Sequence, residues 1–146
     1  MDKLLYEKET SEIINACMAV HSELGNGFLE AVYQDALEIE FKERRIPYVR
    51  EAHVQIFYKG QRLDKEYYAD FICFGKIIVE LKCVSRLVNA HKAQVINYLY
   101  GTRLNVGLLV NFAAASLKWE RLTRFEKQTD LLTPDGVRDT RGSERR

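Results

Sequence analysis

The sequence predicts a single α/β domain: a mixed sheet of three meander strands plus a parallel strand after a crossover helix, flanked by N-terminal helices. Three patterns predict it: apolar residues at helical spacing over 11–44, apolar and polar alternation over 48–84, and the almost wholly apolar segment 105–112 after another helical segment. A chain of 146 residues, 47% hydrophobic, suits one sizeable core. We assign the domain to 1–130 and expect 131–146, where aliphatic residues almost vanish, to be a flexible tail.

Two helices are predicted in the N-terminal part of the chain. The first spans 11–24, and Gly25 occupies the position just past a helix end where glycine is common. The second spans 28–44, and Pro47 prevents it from continuing. The apolar faces of the two helices comprise Ile13, Ile14, Cys17, Val20, Leu24, Val32, Ala36, Leu37 and Phe41.

Three strands in meander order are predicted to follow these helices. A strand that begins at Tyr48 enters a hairpin through a turn at 59–61, and the second strand covers about 63–74. A turn at 75–76 then leads into a third strand over 77–84. This order indicates an antiparallel arrangement for the three strands.

A helix and two strands complete the predicted domain. The helix spans 89–101, and the apolar strand 105–112 after it is of the kind that is buried on both faces. A strand, a helix and another apolar strand favour a right-handed parallel crossover. The segment 117–125, which contains Trp119, is predicted to add an edge strand.

Composition excludes several classes of protein. Lys and Arg number 22 against 21 Asp and Glu, so a polyanion would have to meet a local basic patch. No apolar run approaches the ~20 residues of a membrane helix, and no membrane partner is expected. Residues 1–10 lack the basic and apolar regions of a secretory signal, so we expect a cytoplasmic protein. Three cysteines without metal-ligand spacing argue against disulfides or a zinc site.

An acid and a base lie side by side in the third predicted strand. Alternation places Glu80 and Lys82 on one face of a segment that is otherwise apolar. The second strand carries Asp70 in an equally apolar setting, and a three-residue connection at 74–76 would put Asp70 opposite Glu80. Burying a charge is costly unless it is paired or binds an ion, so this convergence needs a reason.

Two interpretations of this cluster are open from the residues alone. In the first, the two carboxylates bind a hard cation such as Mg²⁺ or Mn²⁺, and the Lys82 ammonium orients or deprotonates an attacking water. That chemistry is metal-assisted hydrolysis of a phosphodiester. In the second, Glu80 and Lys82 form a structural ion pair along the strand.

These residues resemble a known group of enzymes. Asp70, followed after nine residues by Glu80-Leu81-Lys82, is similar to the signature of the PD-(D/E)XK nuclease superfamily, with Ala69 at the often variable proline position. The segment 27–33, GFLEAVY, fits the motif of the GxxExxY protein family, and the similarity runs over about 13–121. The resemblance implies a restriction-endonuclease-like core of helix, three-strand meander, helix and strand.

The resemblance also implies roles for individual residues. Asp70 and Glu80 are expected to be metal ligands and Lys82 the catalytic lysine, with Mg²⁺ or Mn²⁺ as the cofactor. Glu30 matches the first-helix glutamate that completes the metal shell in many members of the superfamily. A carboxylate in the first turn of a helix is also favoured by the helix dipole alone, so the residues themselves leave the role of Glu30 open.

Four residues are expected to contact the substrate. Gln94 and Tyr98 are similar to the QxxxY motif of the RecB-like branch, whose helix flanks the metal site, although a solvated helix face is the alternative. Tyr33 shares a helix face with Glu30 and either hydrogen-bonds a carboxylate or a phosphate or simply packs. His21 lies near an apolar stripe and is either a substrate contact or a core histidine.

The sequence therefore predicts a magnesium-dependent nuclease, and we favour DNA as its substrate with RNA as the alternative. The alternative is a catalytically inactive module of the same fold that binds nucleic acid or protein. No base-reading motif is present, so sequence specificity is not expected, and the oligomeric state is open. Several aromatic residues either stack on unpaired bases or belong to the core, namely Tyr67, Tyr68, Tyr98, Tyr100 and Trp119.

Overall fold

A five-stranded mixed sheet with helices on both faces organises the protein. The computed structural model describes residues 4–125, so the predicted tail at 131–146 lies outside the described residues. The helices are α1 (Glu7–Leu24), α2 (Glu30–Glu43) and α3 (Asn89–Thr102). The strands are β1 (Tyr48–Val54), β2 (Phe57–Tyr58), β3 (Gln61–Arg62), β4 (Tyr67–Cys73), β5 (Ile77–Lys82), β6 (Val106–Asn111) and β7 (Lys118–Thr123). None of the helices within 4–125 is long and apolar enough to cross a membrane.

The strand order of the main sheet is β1-β4-β5-β6-β7. Strands β1, β4 and β5 form the predicted antiparallel meander, and the register sets Phe71 opposite Val79 across a three-residue connection at 74–76. Helix α3 carries the chain from β5 to β6, which pairs with β5 in parallel as predicted. Strand β7 pairs with β6 and forms one edge of the sheet, so the edge strand predicted at 117–125 is confirmed.

The two faces of the sheet carry separate apolar cores. Helices α1 and α2 pack on one face, where they meet Ile77, Val79 and Leu81 of β5. Helix α3 packs on the other face, where Ile78 of β5 lies in one cluster with side chains of the helix. Because alternate residues of a strand share a face, Glu80 points to the α3 side with Ile78, into a mostly apolar surrounding.

The two N-terminal helices begin at different residues from those predicted. Helix α1 begins at Glu7 rather than at residue 11, and Thr10, which is buried, donates its hydroxyl to the Glu7 carbonyl at 3.1 Å. Helix α2 begins at Glu30 rather than at residue 28, because Leu29 is extended, with a ψ of 158°, and forms the N-cap of the helix. The motif glycine, Gly27, has a φ of 109° and lies in the loop that leads into α2.

The predicted long hairpin is divided in the structure. Strand β1 ends at Val54, and β4 begins at Tyr67 rather than at residue 63. Between them β2 and β3 form a separate two-stranded sheet whose turn residues, Lys59 and Gly60, have φ of 50° and 77°. Positive φ at both central residues is the geometry that tight hairpins favour, so this turn closes a small hairpin of its own.

At Glu51 and Asp70, the buried side chains of β1 and β4 switch from one face of the sheet to the other. Phe71 belongs to the core under α2, whereas Ala69 belongs to the core under α3, although residues two apart on a regular strand share a face. Glu51 has a φ of 54°, and neither acidic residue appears in the ladder that pairs Arg50 with Phe71 and then Ala52 with Ala69. The sheet is therefore irregular at Glu51 and Asp70.

Candidate active site

Asp70 and Glu80 lie where β4 and β5 stop pairing through their main chains. The ladder between these strands reaches Phe71 and Val79 and goes no further. Beyond that point the backbone N–H of Asp70 donates to Oε1 of Glu80 at 3.1 Å, and the N–H of Leu81 donates to Oδ2 of Asp70 at 2.7 Å. The two carboxylates thus fill the opening between the strands, and each is held by the backbone of the other strand.

Burial and like charge oppose the ionisation of both carboxylates. Glu80 is 7% exposed, and burial, followed by the charge of Asp70, raises its pKa above the ordinary value. Burial likewise raises the pKa of Asp70, and the charges of Glu30 and Glu51 raise it further, against the hydrogen bond from Leu81. The site therefore holds two acids that favour a shared proton or a bound cation.

Lys82 extends the pair along β5. It is half-buried and follows Glu80 by two residues, and its positive charge acts to lower the pKa of both carboxyl groups. Within residues 4–125 the ion pairs of this protein do not include Lys82. The alternative in which Glu80 and Lys82 form a structural ion pair is thus not what the structure shows.

Glu30 approaches the same end of the sheet from α2. It is the first residue of that helix, it is exposed, and its Oε2 accepts a hydrogen bond of 3.3 Å from the backbone N–H of Cys83, next to Lys82. Its charge raises the pKa of both Asp70 and Glu80. The structure therefore places Glu30 near Glu80 and Asp70, hydrogen-bonded to the chain that follows β5.

Two residues that the sequence analysis missed adjoin Asp70. Gln34 is 7% exposed, and its Nε2 donates to Oε2 of Glu51 at 2.7 Å and to Oδ1 of Asp70 at 3.4 Å. Its Oε1 accepts a hydrogen bond of 3.1 Å from Arg50, which also pairs with acidic side chains of α2. Gln34 follows Glu30 by four residues and so shares its helix face, a signal that could have identified it. No sequence signal marks Glu51.

Helix α3 contributes a polar side to the site. Tyr98 is 6% exposed, and burial, together with the charges of Glu80 and Asp70, raises its pKa to about 12. Gln94 lies one turn earlier on the helix and is half-buried. His91 begins the same stripe, with its Nδ1 accepting the Val88 N–H at 3.1 Å. The helix predicted to flank the carboxylates thus does so at Tyr98.

Tyr33 and His21 bond to backbone groups rather than to the carboxylates of the site, and their contact with a substrate stays a prediction. Tyr33 is fully buried, and its hydroxyl donates to the Gly25 carbonyl at 2.6 Å and accepts from the Phe28 N–H at 3.3 Å. His21 is 8% exposed, with Nε2 at 3.0 Å from the Ala114 carbonyl. Both side chains thus form hydrogen bonds with the backbone, which agrees with the alternative that they are packed residues of the core. Tyr33 fastens the loop that leads to Glu30.

The donor set of this site fits a hard divalent cation. Within residues 4–125 no group of three or more His, Cys, Asp or Glu side chains is arranged to hold a metal ion. However, Mg²⁺ is usually held by one or two carboxylates and completes its shell with waters and substrate phosphate. Asp70 and Glu80 meet that requirement, and a cation between them would offset the burial and the neighbouring negative charges that raise their pKa values.

Comparison with known proteins agrees with this geometry. The family model of the PD-(D/E)XK nuclease superfamily matches residues 7–122, which include α1 through most of β7. No curated protein matches the sequence.

Among solved structures, the crystal structure of SSO0001 superposes with a TM-score of 0.54 at 20% sequence identity. The match covers 87% of this chain and 64% of SSO0001, so the chain spans about two thirds of that protein. With the family match, this likeness shows a restriction-endonuclease-like fold. Since the family model covers most of the chain, including every residue of the site described above, this protein belongs to the PD-(D/E)XK nuclease superfamily.

Proposed function

We propose that this protein is a divalent-metal-dependent nuclease that hydrolyses phosphodiester bonds of nucleic acid, and we favour DNA over RNA as its substrate. The observation that carries the proposal is the pair of backbone-to-carboxylate hydrogen bonds in the opening between β4 and β5, from Asp70 N–H to Glu80 and from Leu81 N–H to Asp70, with Lys82 two residues after Glu80. A buried and a half-buried acid, beside a lysine without an ion pair within residues 4–125, are costly to maintain for stability alone. Membership of a nuclease superfamily explains why the protein keeps this costly arrangement, since the residues would serve catalysis.

The proposed roles follow from the chemistry of each side chain. Asp70 and Glu80 would hold Mg²⁺ or Mn²⁺, and Glu30 would supply a third carboxylate from the first turn of α2. A cation bound there would stabilise charge on the phosphate and lower the pKa of the attacking water. The ordering of Asp70 by Gln34 and by the Leu81 N–H would keep a ligand oxygen in one orientation.

Lys82 and α3 would act on the water and the substrate. The Lys82 side chain lies near both carboxyl groups, whose pKa values its charge acts to lower. We assign to its ammonium form the orientation of the attacking water and to its neutral amine the acceptance of the proton that the water loses. Gln94 and Tyr98 would position the nucleic acid from α3. The burial of Tyr98 next to both acids supports that assignment, because its hydroxyl stays protonated and can donate to a phosphate oxygen.

The narrower assignment to the GxxExxY family is part of the same proposal. The structure supplies a physical reason for each motif position: Gly27 takes a positive φ, Glu30 opens α2, and Tyr33 fastens the intervening loop. Together they set the direction from which Glu30 approaches β5. We also propose that the protein acts in the cytoplasm.

Incubation of the purified protein with labelled single-stranded and double-stranded DNA and RNA tests the proposal. Cleavage is expected with magnesium or manganese and is expected to disappear with chelator and in Asp70→Asn. If the protein binds nucleic acid but cleaves none of these substrates with either metal, the nuclease proposal is wrong and the protein is a catalytically inactive module of the same fold.

A further inference from the structure

Four exposed aromatic rings lie on the segment that leads into the candidate active site. Phe57 and Tyr58 of β2 are 55% and 61% exposed, and Tyr67 and Tyr68 of β4 are 37% and 47% exposed. We call these four residues the aromatic surface. Large rings are usually buried, and exposed apolar patches mark interaction sites. The concentration of exposed rings in this segment therefore indicates a binding site for another molecule.

The two β4 rings of the aromatic surface, Tyr67 and Tyr68, adjoin the site. Tyr68 precedes Asp70 by two residues, which is about 7 Å along a strand. The ring of Tyr67 lies 5.9 Å from that of Tyr98, the α3 residue beside the carboxylates. Because adjacent strand residues point to opposite faces, Tyr67 and Tyr68 line both sides of β4 directly before Asp70. A nucleic-acid strand that approaches β4 from either face would therefore contact an aromatic ring.

The geometry of the rings suits the stacking of bases. Tyr68 already stacks on His53 of β1, with centroids 5.1 Å apart and planes inclined by 24°. Two rings also carry an ammonium group nearby: Lys59 Nζ lies 5.5 Å from the Tyr58 ring, and Lys65 Nζ lies 5.6 Å from the Tyr67 ring. A cation next to an exposed ring can meet a phosphate while the ring meets a base.

This combination distinguishes unpaired strands from duplexes. Proteins bind single strands through aromatic rings on which bases stack and through basic groups that follow the backbone. In a duplex the base faces are already stacked on each other and are not available to a side chain. Neither the composition nor the described part of the structure contains a motif that reads base edges in a groove.

We propose that the aromatic surface binds the unpaired bases of a single-stranded nucleic acid and presents that strand to Asp70 and Glu80. The inference rests on the proposed function, since it names the substrate class of the same site. It assigns the small β2–β3 hairpin a role in substrate capture that its minor contribution to the core does not explain.

Binding is measured first without cleavage, by fluorescence anisotropy in chelator. The probes are a labelled oligothymidylate and the same strand annealed to its complement. The wild type is expected to bind the single strand more tightly than the duplex. The double variant Phe57→Ala, Tyr58→Ala is expected to bind the single strand at least about 5-fold more weakly, the lower range for losing one stacked base.

Two comparison variants keep the test specific. The variant Phe57→Tyr, Tyr58→Phe retains both rings and should bind as the wild type does. Trp119→Ala removes an aromatic ring that is 40% exposed on β7, at the opposite edge of the sheet from β1, and should also leave single-strand binding unchanged. Thermal melting checks that each variant folds. If the double variant does not fold, Tyr58→Ala, which removes the most exposed ring, is expected to weaken binding in the same direction.

The outcomes separate this inference from the proposed function. Unchanged single-strand binding in the folded alanine variants overturns the inference, and so does a duplex preference in the wild type. A change of oligomeric state by light scattering with unchanged single-strand binding replaces it with self-association. If the alanine variants lose single-strand binding while the wild type cleaves nothing with magnesium, the aromatic surface stands and the nuclease proposal fails. If the wild type cleaves and these variants bind and cleave equally well, only the aromatic surface fails.

Discussion

Where β4 and β5 separate, the carboxylates of Asp70 and Glu80 accept the backbone N–H groups that main-chain pairing no longer uses. The Asp70 N–H donates to Glu80, and the N–H of the residue after Glu80 donates back to Asp70. Folding therefore brings two carboxyl groups together in a partly buried opening, where burial and mutual repulsion oppose their ionisation. The stability of the protein should consequently depend on protons and on cations.

Magnesium or manganese should stabilise the wild-type fold. A cation that binds only the native state raises stability by mass action, by about 2.7 kcal/mol at a hundredfold excess over its Kd, which corresponds to several degrees in Tm. Asp70→Asn should melt at the same temperature with metal and with chelator. Glu43→Gln, which removes an exposed carboxylate from α2, should retain the full response. An equal shift in the Asp70 variant would point to binding elsewhere.

Metal-free stability should fall as the pH rises. Burial and the charge of Asp70 raise the pKa of Glu80 from the ordinary 4.5 to about 8, so the folded protein binds this proton more tightly than the unfolded chain does. The free energy of unfolding should therefore decrease between about pH 4.5 and pH 8, and this group should add no slope below that range. Urea denaturation in chelator measures the effect. Glu80→Gln should reduce the slope, chiefly between about pH 6 and pH 8, because Asp70, whose pKa burial raises to about 6, still contributes below that range. An equally steep profile between pH 6 and pH 8 in that variant would contradict the assignment.

Lys82→Ala should abolish cleavage while leaving binding largely intact. A group that acts on the water in the transition state contributes to the rate constant and not to ground-state affinity, and loss of general acid–base catalysis typically costs about 10²-fold to 10⁴-fold. Metal binding should survive because an ammonium is not a ligand. Single-turnover cleavage and equilibrium binding on one labelled substrate test this, with Lys42→Ala as the control on exposed α2 surface. Full activity in Lys82→Ala would remove this lysine from the mechanism.

Gln34→Leu should weaken metal binding although Gln34 is not itself a proposed metal ligand. The amide holds Asp70 and Glu51 and accepts from Arg50, so its loss frees a carboxylate that would act as a ligand. Loss of such an orienting partner typically costs about 10-fold to 100-fold in metal affinity. Titration calorimetry with manganese measures the change. Gln94→Leu on α3 should leave the affinity unchanged, and equal effects of the two variants would argue against orientation by Gln34.

Tyr33→Phe should reduce stability and spare catalysis. The variant keeps the buried ring but removes the hydroxyl that bonds Gly25 and Phe28, which should lower the free energy of unfolding by about 1 to 3 kcal/mol. Cleavage by the folded variant should stay close to the wild-type rate. Urea denaturation and single-turnover cleavage distinguish a structural role of Tyr33 from a substrate contact. Normal stability with a large loss of cleavage rate would indicate that Tyr33 contacts the substrate.

The element order and the facing of Asp70 and Glu80 were predictable because short-range features determine them. The period-two alternation of β4 and β5 and the three-residue connection between them set which residues are opposite each other, and the structure has that register. The acids were conspicuous because charge is rare in an apolar strand. Pro47 and Gly25 likewise marked helix ends through local backbone chemistry.

Tertiary structure alone decided which partners these residues meet. Gln34 reaches Asp70 because α2 packs over the sheet where β1 and β4 change faces at Glu51, an irregularity that the alternation of the strand does not reveal. Tyr33 bonds a loop carbonyl rather than a carboxylate because its ring is fully buried against Phe112, which turns its hydroxyl toward Gly25. Periodicity specifies the face on which a side chain lies, whereas the distance to a donor or acceptor depends on how separate segments pack.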